Sequence, residues 1–165
     1  MPRIPFHQLP DEARLWVFPA NRRLGASEEE ALLAQVDEFL SGWAAHGDPL
    51  EAGMDWREGQ FLLVAVDEGT VHPSGCSIDA LVNRLKELGR QEDLTLVDHS
   101  PVWYRAEDGI RCLTRPEFKS LAEEREVDVS TPVFDTSITR MAQLRQGEWE
   151  RPAGASWHRR AFFSS

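Results

Sequence analysis

The run Phe61-Leu62-Leu63-Val64-Ala65-Val66 constrains the fold more than any other feature of the chain. Six apolar residues in succession offer no polar alternate positions to water, so the run predicts a central strand buried on both faces. It follows Glu58-Gly59, a turn pair that predicts a hairpin between residues 50–57 and 60–67. A strand of this kind needs a sizeable core around it. The 165 residues suffice for one domain, or for one domain with a small appendage.

Elements on either side of the hairpin complete a recognisable order. Residues 14–19, Arg-Leu-Trp-Val-Phe-Pro, are rich in strand formers and stop at proline. Ser27 and Glu30 read as a capping box. Leu32, Leu33, Val36, Phe39, Leu40 and Trp43 then recur at helical spacing, with Gly47 and Pro49 as the stop. Past the central strand, a loop over residues 68–75 leads into a second amphipathic helix. It carries Ile78, Leu81, Val82, Leu85 and Leu88 on one side, with Ser74 or Ser77 as its cap and Gly89 as its end. Residues 94–97, Leu-Thr-Leu-Val, read as a fourth strand. The order βαββαβ predicts an α+β fold, a ferredoxin-like sandwich over residues 1–100 with two helices on one sheet face.

Residues 101–150 read as a smaller extension packed on that core. Val102 to Arg105 and Ile110 to Leu113 flank Glu107-Asp108-Gly109, a hairpin signal. Thr114 and Glu117 form a second capping box ahead of Phe118, Leu121 and Ala122. Residues 131–134, Thr-Pro-Val-Phe, read as a short edge strand, where proline is tolerated. Ile138, Met141, Ala142 and Leu144 suggest a short helix ended by Gly147. Residues 151–165 show no period and read as an irregular, extended tail.

Charge narrows the choice of partners. Twenty-eight acids face sixteen Arg and two Lys, a net charge of -10, which repels phosphate backbones and argues against a nucleic-acid partner. Residues 28–68 hold eleven acids and one base, whereas residues 136–165 sum to +3. An acidic, lysine-poor composition resembles that of halophiles, in which salt screens the mutual repulsion of carboxylates. No apolar run approaches the roughly 20 residues of a membrane helix, and the first residues lack a signal-peptide core. A cytoplasmic location with no membrane association is expected.

Chemistry-bearing motifs are few. A phosphate-binding loop needs glycines and a following lysine, and neither Lys86 nor Lys119 has that setting, so hydrolysis of nucleotides by a P-loop mechanism is excluded. His7, His46, His72, His99 and His158 include no pair at metal-ligand spacing, so no metal and no cofactor is expected. The catalytic candidate is Cys76, placed at a helix N-terminus where the dipole and free amides stabilise a thiolate. His72 would serve as its base and Asp79 or Asp67 would orient the imidazole. Cys112, in a strand, reads as core. Trp157 and His158 are the binding candidates, because a tail carrying Trp-His-Arg-Arg and Phe162-Phe163 exposes apolar surface unless it docks.

Four strings carry a family resemblance: Leu9-Pro10-Asp11-Glu12-Ala13-Arg14-Leu15-Trp16, Trp43-Ala44-Ala45-His46-Gly47, Ser74-Gly75-Cys76-Ser77-Ile78-Asp79 and Ser156-Trp157-His158. With them the chain resembles, over nearly its whole length, a family of small uncharacterised bacterial proteins often labelled "ABC transporter ATPase". The resemblance implies no established activity. Residues 102–135 also look loosely like the small GYF-type interaction module, with its Trp-Tyr pair, hairpin and late Thr-Pro-Val-Phe strand.

Two functions are therefore expected. The first is a non-enzymatic binding or regulatory module for a protein or small molecule, with a homodimer through a sheet edge open to it. The second is a thiol-dependent enzyme centred on Cys76.

Overall fold

The computed structural model describes residues 4–163. The chain runs through β1 (Arg14–Pro19), α1 (Ala26–Ser41), the two-residue strands β2 (Ala44–Ala45) and β3 (Asp48–Pro49), β4 (Glu51–Arg57), β5 (Phe61–Asp67) and α2 (Gly75–Glu92). It continues through β6 (Val102–Ala106), β7 (Gly109–Leu113), α3 (Arg115–Glu123), β8 (Pro132–Phe134), α4 (Met141–Arg145) and β9 (Glu150–Pro152). The fold is a mixture of helices and antiparallel sheets. A three-stranded sheet has the order β1-β5-β4 and a four-stranded sheet the order β7-β6-β8-β9.

The apolar run forms β5, at the middle of the first sheet, and every residue from Phe61 to Val66 is fully buried. Alternation along the strand divides its side chains between two cores. Leu62, Val64 and Val66 face α1 and α2, joined by Leu32, Val36, Leu40, Leu81 and Leu85. Phe61, Leu63 and Ala65 face the C-terminal half, where they meet Trp103, Phe134, Met141 and Trp149. Burial on both faces thus arises because helices cover one side and the second sheet with α4 covers the other. A third cluster, Val102, Tyr104, Phe118, Val127, Val133 and Ala153, lies between the second sheet and α3.

Several elements depart from the expectations above. Residues 94–97 form no strand, so the fourth strand of a ferredoxin-like sheet is missing. Leu94 and Leu96 still bury themselves in the first core, which produces the alternation that reads as a strand. The edge of β1 that a fourth strand would occupy is taken by other groups. The Leu15 N–H donates to the Thr139 carbonyl at 2.8 Å, Arg14 and Arg140 form a bridge, and the His99 Nε2–H donates to the Val17 carbonyl at 2.7 Å.

Gly89 does not end α2, which runs on to Glu92 and stops at Asp93 in the left-handed region. Gly89 serves a close approach instead: a Cβ there would lie 2.5 Å from the Leu94 carbonyl oxygen. The cap of α1 is Gly25, whose N–H donates to the Glu28 carboxylate at 2.9 Å, so the capping box lies two residues ahead of Ser27 and Glu30. His46 and Gly47, both at positive φ, turn β2 into β3 in a miniature hairpin that the helix-stop reading missed.

Thr114 and Glu117 form their capping box, with the Glu117 N–H donating to Thr114 Oγ1 at 3.2 Å and the Thr114 N–H donating to Glu117 Oε1 at 2.8 Å. β8 is not an edge strand, because it lies between β6 and β9. Its proline is tolerated at the first position, where it faces Pro152 of β9. The tail is not extended: residues 150–152 are β9, residues 153–155 make a 3-10 turn, and Arg159–Phe163 form a helical turn. Phe162 and Phe163 pack on Phe118 with ring centroids 4.9 and 6.1 Å away, which docks the tail on its own chain. Among the described residues, no helix is long and apolar enough to cross a membrane.

Candidate functional site

Ser74 is the cap of α2. Its Oγ accepts from the Ser77 N–H at 3.1 Å, while Ser77 Oγ accepts from the Ser74 N–H at 2.7 Å. This reciprocal pair sets the first turn and leaves the Cys76 thiol exposed on it. His72 and Asp79 are exposed as well. His72 turns to Glu68, with Nδ1 at 3.6 Å from its Oε2, and Glu68 is also held by Arg140 at 2.9 Å. The Arg140 guanidinium, opposed by burial, keeps the Glu68 carboxyl below its ordinary range. Asp67 accepts from the Gly69 N–H at 2.9 Å. Among the described residues, no hydrogen bond or ion pair joins Cys76 to His72, Asp67 or Asp79.

Two segments singled out in the sequence, residues 43–47 and 74–79, meet here. The Trp43 indole N–H donates to the Ser77 carbonyl at 2.8 Å inside the core, so the turn at residues 43–47 abuts the start of α2. Cys112, the other thiol, is half-buried on β7. Burial pushes its pKa up to about 11, with the charges of Asp98 and Glu117 adding to the rise.

The second candidate pair sits at a better-defined place. The turn after β9 is closed by the Ser156 N–H donating to the Ala153 carbonyl, and the His158 N–H then donates to Ser156 Oγ at 3.2 Å. These bonds drive the His158 ring inward until it is fully buried, with Nδ1 2.6 Å from Ser156 Oγ and Nε2 lacking a hydrogen-bond partner among the described residues. Burial pushes its pKa down to about 4; the Arg115 charge adds to this and Asp135 opposes it. Trp157 stacks on His158 with centroids 3.8 Å apart and stays partly exposed. The Arg115 guanidinium lies 4.9 Å from the Trp157 ring centre, a cation–π contact, and its Nε–H donates to the Ser100 carbonyl at 3.0 Å.

Trp157 therefore stands as a wall between two open clefts. One, of about 420 Å³, is lined by His99, Arg115, Thr136, Ser137 and Trp157. The other, of about 530 Å³, is lined by Ser156, Trp157, Arg159 and Arg160. Asp135, buried beside the first cleft, is satisfied by the Ser137 N–H and hydroxyl. Arg115 on the indole face, with Arg159 and Arg160 on the lining of the second cleft, brings three arginines to the two clefts that share Trp157, in a chain whose net charge is -10. Sequence reading found Trp157 and His158 but missed Arg115, His99 and Asp135. The tertiary fold alone brings those residues to the indole, and no local spacing signals it.

Among the described residues, no group of three or more His, Cys, Asp or Glu is arranged to hold a metal ion. Comparison of the chain with protein-family models, with curated proteins and with solved structures finds no match.

Proposed function

We propose that the chain is a non-enzymatic binding module, and that an acidic segment of a protein partner seats across Trp157. The observation that carries this reading is the half-open indole with Arg115 on its face and clefts on both sides. A stacked, oriented guanidinium offers donors to carboxylates, and the indole contributes apolar area at low entropic cost. The hairpin β6–β7, helix α3 and strand β8, in a sheet ordered β7-β6-β8-β9, support reading residues 102–135 as a GYF-type interaction module. The order β1-β5-β4 under α1 and α2 matches three of the four strands of a ferredoxin-like sheet and supports that arrangement in part over the first hundred residues.

The acidic surface suits a cytoplasm of high salt, and self-association would use the outer edge of β7, which has no strand partner among the described residues. The test is a titration with a glutamate-rich peptide, following the indole N–H signals by NMR. Trp157 should shift first, and Trp157→Ala and Arg115→Ala should each weaken binding. A Trp157 signal that stays in place while the peptide binds, or an absence of binding, would defeat the proposal. A second reading, a thiol-dependent enzyme, rests on the exposure of Cys76 in the first turn of α2. Its base would have to come from a rearrangement of His72 away from Glu68.

A further inference from the structure

A further pocket, lined by other residues than the Trp157 clefts, has a chemistry that the binding reading does not use. It lies where the N-terminal turn, β4 and α4 meet, has a volume of about 230 Å³, and is lined by Phe6, His7, Asp55, Arg57, Met141, Leu144 and Arg145. Phe6, Met141 and Leu144 are buried and form an apolar floor. Arg145 is committed to the scaffold: its Nη1 donates to Asp11 at 2.6 Å and its Nη2 to the His7 and Leu9 carbonyls.

Arg57 is differently placed. Its Nε donates to Asp55 Oδ2 at 2.8 Å, and its guanidinium lies 5.6 Å from the centre of the Trp149 ring. Asp55 holds the Nε edge and Trp149 lies beside the guanidinium, while neither Nη of Arg57 has a hydrogen-bond partner among the described residues. A planar guanidinium with uncommitted Nη donors, on the lining of a pocket that also presents Phe6, Met141 and Leu144, matches one oxoanion head on an apolar body.

We propose that this pocket is a binding site for a small monocarboxylic acid with an apolar body. Charge balance disfavours a higher charge: Arg57 and Arg145 are already offset by Asp55 and Asp11, with His7 the remaining titratable group on the lining, so a phosphate dianion would be opposed more strongly than a monoanion. Size selects the body. A cavity of about 150 Å³ holds benzene, so 230 Å³ accommodates a ring of that size together with a carboxylate, and falls below the roughly 300 Å³ at which drug-sized sites begin.

The probe is 3-phenylpropionate, with the neutral 3-phenylpropanamide as its isostere, titrated into the intact protein and followed by methyl and indole NMR. The acid should perturb Met141, Leu144 and the Trp149 indole and leave Trp157 in place, which separates this site from the cleft proposed above. The amide should bind about tenfold more weakly or worse, since it loses the charge-assisted bonds to Arg57. Arg57→Gln should weaken the acid by a similar factor and leave the amide unchanged. Equal affinities for acid and amide, or no perturbation at Met141 and Leu144 at millimolar concentrations, would overturn the proposal. The comparison of acid and amide needs no variant, so it stands even if Arg57→Gln fails to fold.

Discussion

The indole N–H of Trp43 donates to the backbone carbonyl of Ser77 across 2.8 Å of buried interior. The bond ties the chain just past α1 to the first turn of α2, where Ser74 and Ser77 cap each other and Cys76 faces solvent. Trp43 is also held by an edge contact to Trp16 of β1 at 5.9 Å, so one side chain locks the sheet and both helix ends. Trp43→Phe removes the donor and also shrinks a buried ring. Stability measured by urea unfolding should fall by at least about 1 kcal/mol, the net worth of one buried hydrogen bond, with the smaller ring adding a packing loss. An unchanged midpoint would show that the Ser77 carbonyl is satisfied without the indole.

Phe162→Ala tests the docking of the C-terminal turn. The Phe162 ring meets Phe118 at 4.9 Å in an edge-on arrangement, and Phe118 is fully buried. Truncating a half-buried ring of this kind should cost roughly 1–2 kcal/mol, below the range for a full core phenylalanine. The melting temperature reads it. No change would mean that the turn rests on α3 without stabilising it.

What was legible in the sequence follows from where the deciding information lies. Phe61 to Val66, the Thr114 and Glu117 box and the Glu58-Gly59 turn are local statements, complete within a few residues, and the chain obeys them. Residues 94–97 failed because Leu94 and Leu96 alternate correctly, yet the edge they would join is closed by Thr139 and Arg140, more than forty residues downstream. Gly89 and Ser27 failed for a related reason. A glycine can end a helix or admit a neighbour, and only the Leu94 carbonyl beneath it tells which. The cleft was half legible: Trp157 and His158 stood out as residues without a period, while Arg115 reached them through the packing of α3.

His158 should make the protein acid-sensitive in a defined window. Its pKa is held near 4 when folded against an ordinary value of 6.5, because burial disfavours the charged ring. The unfolded chain therefore binds the proton first as pH falls. Stability is unaffected above 6.5, declines between 6.5 and 4, and below that has lost on the order of 3 kcal/mol. Glu28, held near 2 chiefly by its hydrogen bond to Arg22, contributes only as pH falls below its ordinary value of 4.5. Unfolding free energies at pH 6.5 and pH 5 thus isolate the histidine. His158→Phe should flatten that interval, and an equal slope in the variant would assign the acid sensitivity elsewhere.

The two thiols should differ sharply toward an alkylating reagent. Cys112 is half-buried on β7 and its pKa lies near 11, raised first by burial and then by Asp98 and Glu117, so little thiolate forms at neutral pH. Cys76 is exposed on the first turn of α2. Because the thiolate is the reacting species and must also be reached by the reagent, iodoacetamide should modify Cys76 in the native state markedly faster than Cys112, and unfolding in urea should abolish the difference. Site-resolved mass spectrometry over a time course reads both rates. Comparable native rates would mean that β7 opens on the labelling timescale. A protected Cys76 would bury the thiol that the enzyme reading requires, and would leave that reading without its nucleophile.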